Sequence, residues 1–500
     1  MRPLMKISIQ ALMDQSGVKF GTSGARGLVT EMTDRICYAY TRGFLQFLED
    51  AGELRRQNEE VIVGGDLRPS TPRLMEAVLR GVTAAGYRPI NSGFLPSPAI
   101  ALHGLERRIP SVMVTGSHIP DDRNGIKFNK CSGEVLKEDE AGITRQMVDV
   151  DESLFGPDGL WRSPAPARPP ANPQPLRGYL DRYRRAFNPS ALQGLRIGVY
   201  QHSAVGRDVI ADILEQLGAE VTPLARSDQF VPVDTEAIRD EDVELARRWA
   251  GESRFDCIVS ADGDSDRPLV SDECGEWLRG DVAGILCARF LGADSVSTPI
   301  SCNTAVEKCG WFAEVRRTKI GSPYVVASML AATAGGARRV VGYEANGGFL
   351  TNSDLLIDGR PLPALPTRDA MIVIIGVLLQ ARGDGKTISQ LAASLPRRFT
   401  ASDRLKDFPV ERSRNILQRF QSGDHATDKA ALEQIFGAAF GHVEGIDRTD
   451  GVRVTFSNAE ILHMRPSGNA PEFRCYTEAS SDMRAREMNA EGLAILRALR

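Results

Sequence analysis

Three aspartates at alternating positions follow an apolar run near the middle of the chain. Asp262, Asp264 and Asp266 come directly after residues 255–261, which are predicted to form a strand. A loop at the end of a strand can turn several carboxylate oxygens toward one cation, and oxygen ligands favour Mg²⁺ or Ca²⁺ over zinc. The spacing therefore predicts a site for a hard divalent cation.

Two other interpretations of these aspartates remain. An EF-hand would use Glu273 at its twelfth position, but Arg267 replaces the glycine that the loop requires, and a strand rather than a helix precedes it. A solvated acidic turn without a cation stays open on this motif alone.

A second motif is a serine in a bend after the predicted strand 111–114. Ser117 lies in Val-Thr-Gly-Ser-His-Ile-Pro, next to His118 and ten residues before Lys127. A serine held beside basic groups could carry a phosphoryl group. Taken alone, a serine between glycine and proline is more typical of a simple turn.

Two further loops carry polar groups. Arg465, Ser467, Gly468 and Asn469, with Arg474 close behind, could form an anion cradle, because a guanidinium group grips a phosphate through two parallel hydrogen bonds. An ordinary Pro/Gly turn is the alternative.

The loop after the strand-like residues 339–342 offers an acceptor in Glu344 and an amide in Asn346, both suited to sugar hydroxyls. The glycine-rich segment around Arg26 lacks the Lys-Ser/Thr of a nucleotide-binding P-loop, which excludes that assignment.

The elements that must position these loops alternate between strands and amphipathic helices. The first 160 or so residues predict crossover units around a mainly parallel sheet, and a helix is expected from Thr33 to Gly52. A proline-rich stretch, 163–175, predicts a linker, and two further α/β units follow. A smaller α+β segment is expected after about residue 396, and the apolar run 370–379 predicts a buried helix.

Composition excludes several classes of protein. The 500 residues carry a formal charge of −4 without a long basic run, which argues against a nucleic-acid partner. The eight scattered cysteines indicate neither a disulfide framework nor a zinc ribbon. With no segment that suggests export or membrane anchoring, a cytoplasmic location is expected.

Taken in order, five segments resemble the α-D-phosphohexomutase superfamily: GTSGARG, TGSH-x-P, DGD-x-DR, G-x-E-x-x-G and RPSG-x-x-P. The resemblance implies an α/β protein with a four-domain phosphohexomutase architecture, in which three related α/β domains with mixed sheets and a smaller C-terminal α+β domain surround one cleft. The expected domains are residues 1–162, 176–280, 281–395 and 396–500.

The resemblance also implies roles for individual residues. Ser117 matches the phosphorylated serine, which also ligates the metal, and Asp262, Asp264 and Asp266 match the remaining ligands of Mg²⁺. Catalytic roles are expected for Ser117 and for Lys127, Arg26 and His118. The residues expected to bind substrate are Arg267, Glu344, Asn346, Arg465, Ser467, Gly468, Asn469 and Arg474.

The implied activity is a phosphoryl exchange between O1 and O6 of a hexose phosphate, with glucose or mannose 1,6-bisphosphate as activator and intermediate. Mannose phosphate is the first expected substrate, and glucose phosphate, or both sugars, the alternative. A glucosamine phosphate substrate and a catalytically silent phosphosugar-binding protein are less favoured. A monomer or homodimer is expected.

Three positions depart from the family pattern. Ile119 replaces a usual asparagine, Asn469 a usual threonine, and Gly348 stands where many bacterial relatives have a histidine that is a candidate for proton transfer. Without that histidine, Lys127, Arg26 or His118 is expected to be the general acid or base.

Overall fold

A computed structural model describes residues 5–21, 24–54, 59–164, 168–468 and 471–499. In these ranges the chain forms four domains, numbered I to IV along the sequence and defined below by their elements. None of the helices in this part of the chain combines the length and apolar character that a membrane crossing needs.

Domain I contains a sheet with helices on its faces. Its strands are β1 (Met5–Ser8), β2 (Lys19–Phe20), β3 (Ala25–Leu28), β4 (Glu60–Gly65), β5 (Arg88–Phe94), β6 (Ser111–Val114), β7 (Arg123–Lys130), β8 (Gly133–Glu134) and β9 (Met147–Val150). Its helices are α1 (Ile9–Ser16), α2 (Asp34–Asp50), α3 (Thr71–Ala84), α4 (Ser97–Arg107) and α5 (Lys137–Thr144). The helix expected after Thr33 is thus confirmed as α2, and the Thr33 side chain caps it.

The main sheet of domain I is mixed. Its order is β2-β3-β7-β6-β4-β5, with β8 on β7. Strand β4 pairs parallel with β5 and β6, whereas β7 pairs antiparallel with β6 and β3. The expectation of a mainly parallel sheet is therefore wrong here. Only residues 115–122 join β6 to β7, and so short a connection cannot hold the crossover that parallel strands need.

Domains II and III repeat one topology. Domain II contains α6 (Gln174–Ala186), β10 (Arg196–His202), α7 (Arg207–Gln216), β11 (Glu220–Arg226), α8 (Asp240–Glu252), β12 (Cys257–Ala261) and β13 (Pro268–Val270). Domain III contains α9 (Gly280–Phe290), β14 (Ser295–Pro299), α10 (Ala305–Lys308), β15 (Glu314–Thr318), α11 (Ser322–Ala334), β16 (Val340–Tyr343), β17 (Phe349–Thr351), β18 (Leu355–Ile357), β19 (Arg360–Leu362), α12 (Ala370–Gly383) and α13 (Ile388–Ala393).

The sheet orders of these two domains are β11-β10-β12-β13 and β15-β14-β16-β17. In each, three parallel strands are followed by one antiparallel strand, as in the β5-β4-β6-β7 part of domain I. The buried helix expected over residues 370–379 is confirmed as α12.

Domain IV is an antiparallel sheet with helices packed on it. Its order is β20-β24-β23-β22-β21. Its elements are β20 (Phe399–Leu405), α14 (Val410–Gln418), α15 (His425–Phe440), β21 (Val443–Asp447), β22 (Val452–Phe456), β23 (Ile461–Pro466), β24 (Phe473–Ala479) and α16 (Asp482–Ala498). This confirms the expected α+β character of the last segment.

One local arrangement positions all four polar loops. The Ser117 loop joins β6 to β7, the aspartate loop joins β12 to β13, the Glu344 loop joins β16 to β17, and the Arg465 loop joins β23 to β24. Each of these strand pairs is antiparallel. Each loop is therefore the short connection of a hairpin, which fixes both of its ends on the sheet.

Candidate active site

Ser117 is completely buried and has a strained backbone. Its φ angle is +57°, in the left-handed region that non-glycine residues rarely adopt. Its N–H donates to Thr115 Oγ1 at 2.8 Å, and its Oγ donates to Asp262 Oδ2 at 2.5 Å. The hydroxyl of domain I is thus hydrogen-bonded to the aspartate loop of domain II. Strain of this kind persists only where surrounding contacts hold it, and it is concentrated at functional sites.

The three aspartates form one buried cluster. One carboxylate oxygen from each of Asp262, Asp264 and Asp266 lies within 4.8 Å of the others. Lys127, on β7 of domain I, donates from Nζ to Asp264 Oδ2 at 2.5 Å and to Asp266 Oδ2 at 2.6 Å. Ser97 Oγ also donates to Asp264 Oδ2, at 2.5 Å. Domain I therefore contributes the ammonium group of Lys127 and the hydroxyl of Ser97 to the cluster.

The cluster fits a hard divalent cation. Asp264 Oδ1 and Asp266 Oδ1 are buried without a hydrogen-bond partner among the described residues, which leaves them available as ligands. Burial, together with the charges of Asp264 and Asp266, raises the pKa of Asp262. Burial opposes the effect of Lys127 on Asp264, but the lysine holds the pKa of that carboxyl below its usual value. A bound cation would offset the repulsion among the three carboxylates, which contributes to the raised pKa of Asp262.

A glycine allows the two loops to meet. A Cβ atom on Gly263 would lie 2.5 Å from the carbonyl oxygen of Ser117. Only a residue without a side chain can occupy this position while the serine loop keeps its place.

Arg68 is a buried side chain that the sequence analysis missed. Its guanidinium group donates to the carbonyls of Ser117 (2.7 Å), Ile119 (2.6 Å), Pro120 (2.8 Å) and Arg123 (3.2 Å). It also pairs with Asp66 at 3.1 Å. Arg68 thus holds the serine loop through its backbone. The available signal was the position of Gly-Gly-Asp-Leu-Arg at the carboxyl end of β4, beside β6.

The surroundings of His118 favour its neutral form. Burial, and then the charges of Arg267 and Arg26, lower its pKa well below the usual value. His118 Nδ1 lies 2.5 Å from a terminal nitrogen of Arg267 and 3.4 Å from Ser117 Oγ. Because Arg267 can only donate, Nδ1 accepts. Burial and the charge of Arg267 likewise lower the pKa of Arg26 to about 10.

A cavity of about 550 Å³ lies among all four domains. The sequence-predicted residues that line it are Arg26, His118, Arg267, Glu344, Asn346, Arg465, Ser467, Gly468 and Arg474. Ser117, Lys127 and the three aspartates do not line the cavity, but Ser117 lies beside His118 and Asp266 beside Arg267, two residues that do. Asn469 lies outside the described residues. The structure therefore brings the other predicted residues together around one space.

The Glu344 loop is joined to the aspartate loop by a second buried arginine that sequence reasoning missed. Arg368 Nε lies 3.1 Å from Asp266 Oδ2, and its Nη1 lies 3.5 Å from Glu344 Oε2. A Cβ atom on Gly348 would lie 2.6 Å from Arg368 Cδ. Arg368 thus uses the space beside Gly348, the position where the family pattern has a side chain. Nothing in its own sequence neighbourhood marks Arg368.

In domain IV, two arginines in and beside the Arg465 loop are held by acidic neighbours. Arg465 Nε lies 3.3 Å from Asp450 Oδ2, and Arg474 lies 3.4 Å from Glu472 Oε2. Both guanidinium groups still line the cavity. They face the same space as His118 and Arg267, so an anion between them would meet positive charge from several domains.

The chain matches known proteins along nearly its whole length. Four models of the phosphoglucomutase/phosphomannomutase family match in succession: alpha/beta/alpha domain I at residues 17–153, domain II at 177–275, domain III at 279–399 and the C-terminal domain at 418–494. The phosphomannomutase of Salmonella muenchen is 42% identical over 472 residues, 94% of either chain. That of Sinorhizobium fredii is 42% identical over 480 residues, 96% of this chain and 99% of the relative.

A solved structure shares the fold. The phosphoglucomutase/phosphomannomutase family protein of Burkholderia thailandensis superposes with a TM-score of 0.72 at 18% identity and covers 98% of each chain. The family models together span more than half of the chain, and two relatives exceed 40% identity. The chain therefore belongs to the phosphoglucomutase/phosphomannomutase family.

Proposed function

We propose that this chain is a phosphomannomutase, an intramolecular phosphotransferase that interconverts mannose 1-phosphate and mannose 6-phosphate through phosphorylated Ser117. The observation that carries the proposal is the hydrogen bond between Ser117 Oγ and Asp262, at the edge of three buried carboxylates and beside a cavity that Arg465 also lines. The names of the two relatives at 42% identity support mannose as the sugar. A protein that only bound phosphosugars would need neither the carrier hydroxyl nor the cation site.

The proposal assigns Mg²⁺ to Asp262, Asp264 and Asp266, with an oxygen of phosphorylated Ser117 as a further ligand. The donor set supports this assignment, since it consists of carboxylate oxygens, two of them without hydrogen-bond partners in the described part of the chain. When bound, Mg²⁺ supplies positive charge that offsets the charge developing on the transferring phosphoryl group.

The residues of the chain then have distinct tasks. In the first half-reaction the bond between phosphorus and Ser117 Oγ breaks, and a bond to O6 or O1 of the sugar forms. The sugar hydroxyl loses its proton, and Ser117 Oγ regains one, which it donates to Asp262 as in this structure. Arg465, Ser467 and Gly468 bind the phosphate at the far end of the sugar. The bisphosphorylated sugar turns around before it returns its other phosphate to Ser117.

Three groups are proposed for proton transfer: Arg26, His118 and Lys127. Arg26 and His118 line the cavity, and the lowered pKa of Arg26, about 10, brings it nearer to the range useful for proton transfer. Lys127 donates to two carboxylates, an arrangement that also suits charge neutralisation. Measuring the pH dependence of kcat for Arg26→Lys and Lys127→Arg would separate these roles.

The same proposal includes the domain boundaries 1–162, 176–280, 281–395 and 396–500, a cytoplasmic location, and a monomer or homodimer. Eight free cysteines, five of them buried, are consistent with a reducing compartment. Light scattering of the purified protein would determine the oligomeric state.

Phosphorus NMR tests the proposed activity directly. Purified protein with Mg²⁺ and a trace of glucose 1,6-bisphosphate should interconvert mannose 1-phosphate and mannose 6-phosphate. Ser117→Ala should lower the rate by orders of magnitude while leaving the protein folded, as a cooperative thermal unfolding curve would show. Near-normal turnover by this variant would exclude Ser117 as the carrier.

A second comparison tests the choice of sugar. The kcat/KM values for mannose, glucose and glucosamine 1-phosphates should be highest for mannose, with glucose as the next substrate. Equal values for mannose and glucose would indicate a dual-specificity mutase, and no turnover of any hexose phosphate would favour a binding protein.

A further inference from the structure

A carboxylate of domain II faces the cavity from a loop that the sequence motifs do not include. Glu236 lies between β11 and α8 and lines the cavity. The loop is fixed locally, because Asp234 Oδ1 accepts hydrogen bonds from the backbone N–H groups of Glu236 (2.9 Å) and Ala237 (3.3 Å). The buried Thr235 Oγ1 donates to the carbonyl oxygen of Asn346 at 2.7 Å. The Glu236 loop is therefore held against the Glu344 loop of domain III.

The Glu236 carboxylate has no hydrogen-bond or ion-pair partner among the described residues. In the described ranges it makes no hydrogen bond or ion pair within 4.0 Å, although the charges of Arg279, Arg474 and Arg267 act on it. Burial raises its pKa, and these arginines oppose the rise. A partly buried carboxylate without a protein partner needs a hydrogen-bond donor from water or from a ligand.

The surroundings select the kind of ligand group. A phosphate near Glu236 would be repelled, and the guanidinium groups of Arg267, Arg465 and Arg474 already offer phosphate sites around the same cavity. A hydroxyl group has the hydrogen that an ionised carboxylate accepts, and such charge-assisted bonds are stronger than neutral ones. Glu236 thus suits the uncharged, hydroxyl-bearing part of a ligand whose ends are anionic.

We propose that Glu236 is a specificity-determining residue that accepts a hydrogen bond from a ring hydroxyl of the hexose phosphate. This inference rests on the proposed function. Glu344 of domain III lines the same cavity, so the ring meets acceptors from two domains. Because the ring must bind with either phosphate toward Ser117, a second acceptor gives its hydroxyls a partner after it turns around.

Calorimetric titration of Ser117→Ala protein, which prevents turnover, tests the inference. The ligands are mannose 1-phosphate, its 2-, 3- and 4-deoxy analogues, and inorganic phosphate, all with Mg²⁺ present. Without further substitution, one deoxy analogue should bind about 10- to 100-fold more weakly than the parent sugar, as expected for a lost hydrogen bond to a charged group. Adding Glu236→Ala should weaken the binding of the parent sugar by a similar factor. The same substitution should cause no further loss of affinity for that deoxy analogue.

Inorganic phosphate separates this role from a general effect on the cavity. Its affinity should stay the same or increase in Glu236→Ala, because the substitution removes a negative charge. Glu241→Gln, at an exposed site in the first turn of α8, is the matched control and should bind every ligand as the parent protein does. Glu236→Gln keeps the size of the side chain and should show an intermediate loss.

Two results would overturn the inference. One is unchanged affinity for all sugars in Glu236→Ala. The other is an equal loss for the parent sugar, every deoxy analogue and phosphate. Failure of the proposed function itself is recognised separately, by absence of turnover in protein that retains both Ser117 and Glu236.

Discussion

Gly263→Ala should reduce phosphoryl transfer while leaving most of the stability in place. The added Cβ atom would lie 2.5 Å from the carbonyl oxygen of Ser117, whereas real Cβ atoms essentially never approach other atoms more closely than 3.0 Å. The backbone of Gly263 lies outside the positive-φ region, so alanine is strained by this contact and not by its own conformation. The substitution thus acts on the distance between the serine and aspartate loops.

The size of the effect follows from the required movement. The two loops must separate by at least about 0.5 Å, and the Ser117 carbonyl cannot move freely because Arg68 donates to it at 2.7 Å. Overpacking of this kind costs about 1–3 kcal/mol of folding free energy. Misplacing a reacting group by about 1 Å can lower a rate about 100-fold. We therefore expect kcat to fall about 10- to 100-fold, with a small decrease in Tm.

Gly251→Ala is the matched control, because it is the same chemical change in the same domain. Gly251 lies in α8, and a Cβ atom there meets nothing within 4 Å. Alanine should raise the stability by up to about 1 kcal/mol, since glycine is a poor helix former, and kcat should not change. Initial rates and thermal unfolding of both variants are the measurements. A Gly263→Ala enzyme with the parent kcat would refute the argument that the close approach of the two loops is needed.

Arg68→Lys should lower both kcat and Tm, because an ammonium group cannot donate to the four carbonyls that the guanidinium group holds; an unchanged kcat would argue against a role in holding Ser117. Chelation of divalent cations should lower Tm, and Mg²⁺ at about 100 times its dissociation constant should restore about 2.7 kcal/mol of stability. A Tm independent of Mg²⁺ would argue against the aspartate site. Burial lowers the pKa of His463 to about 4, so its neutral form contributes stability above the unfolded pKa of about 6.5, and this contribution is lost as the pH falls toward 4. Between pH of about 6.5 and 4, the unfolding free energy of His463→Gln should therefore fall less steeply than that of the parent protein, as measured by denaturant titration. An equal decline in both proteins would contradict this prediction.

The sequence predicted the elements and their polar loops because both have local signals. Apolar runs mark β6, β12 and β16, and glycine, proline and aspartate mark the bends that follow them. The hairpin character of these loops was not predicted, because strand direction has no local signal. Whether β7 runs parallel or antiparallel to β6 depends on the pairing of the strands, and the alternation of strands and helices suggested the wrong direction.

The contacts that assemble the site could not be predicted, because they join residues distant in sequence. Lys127 reaches Asp264 and Asp266 across 137 and 139 positions, and Arg68 reaches Ser117 across 49. Lys127 was expected to act beside the serine, and in the structure it donates to the aspartates. The left-handed backbone of Ser117 had no signal either, since serine has no intrinsic preference for that region.

We expect domain IV to rotate as a unit, because the distribution of apolar contacts favours its motion over motion of the other domains. Within the described residues, the hydrophobic core of domain IV contains only side chains from Leu405 onward. Domains II and III share one continuous core, which also includes Ala99 and Leu102 of domain I. Separating domain IV would therefore expose little shared apolar surface and would break polar contacts such as the one between Asp450 and the backbone N–H of Ile320 at 3.0 Å. Since Asp450 also lies beside Arg465, such a rotation would carry Arg465 away while the serine and the three aspartates stayed together.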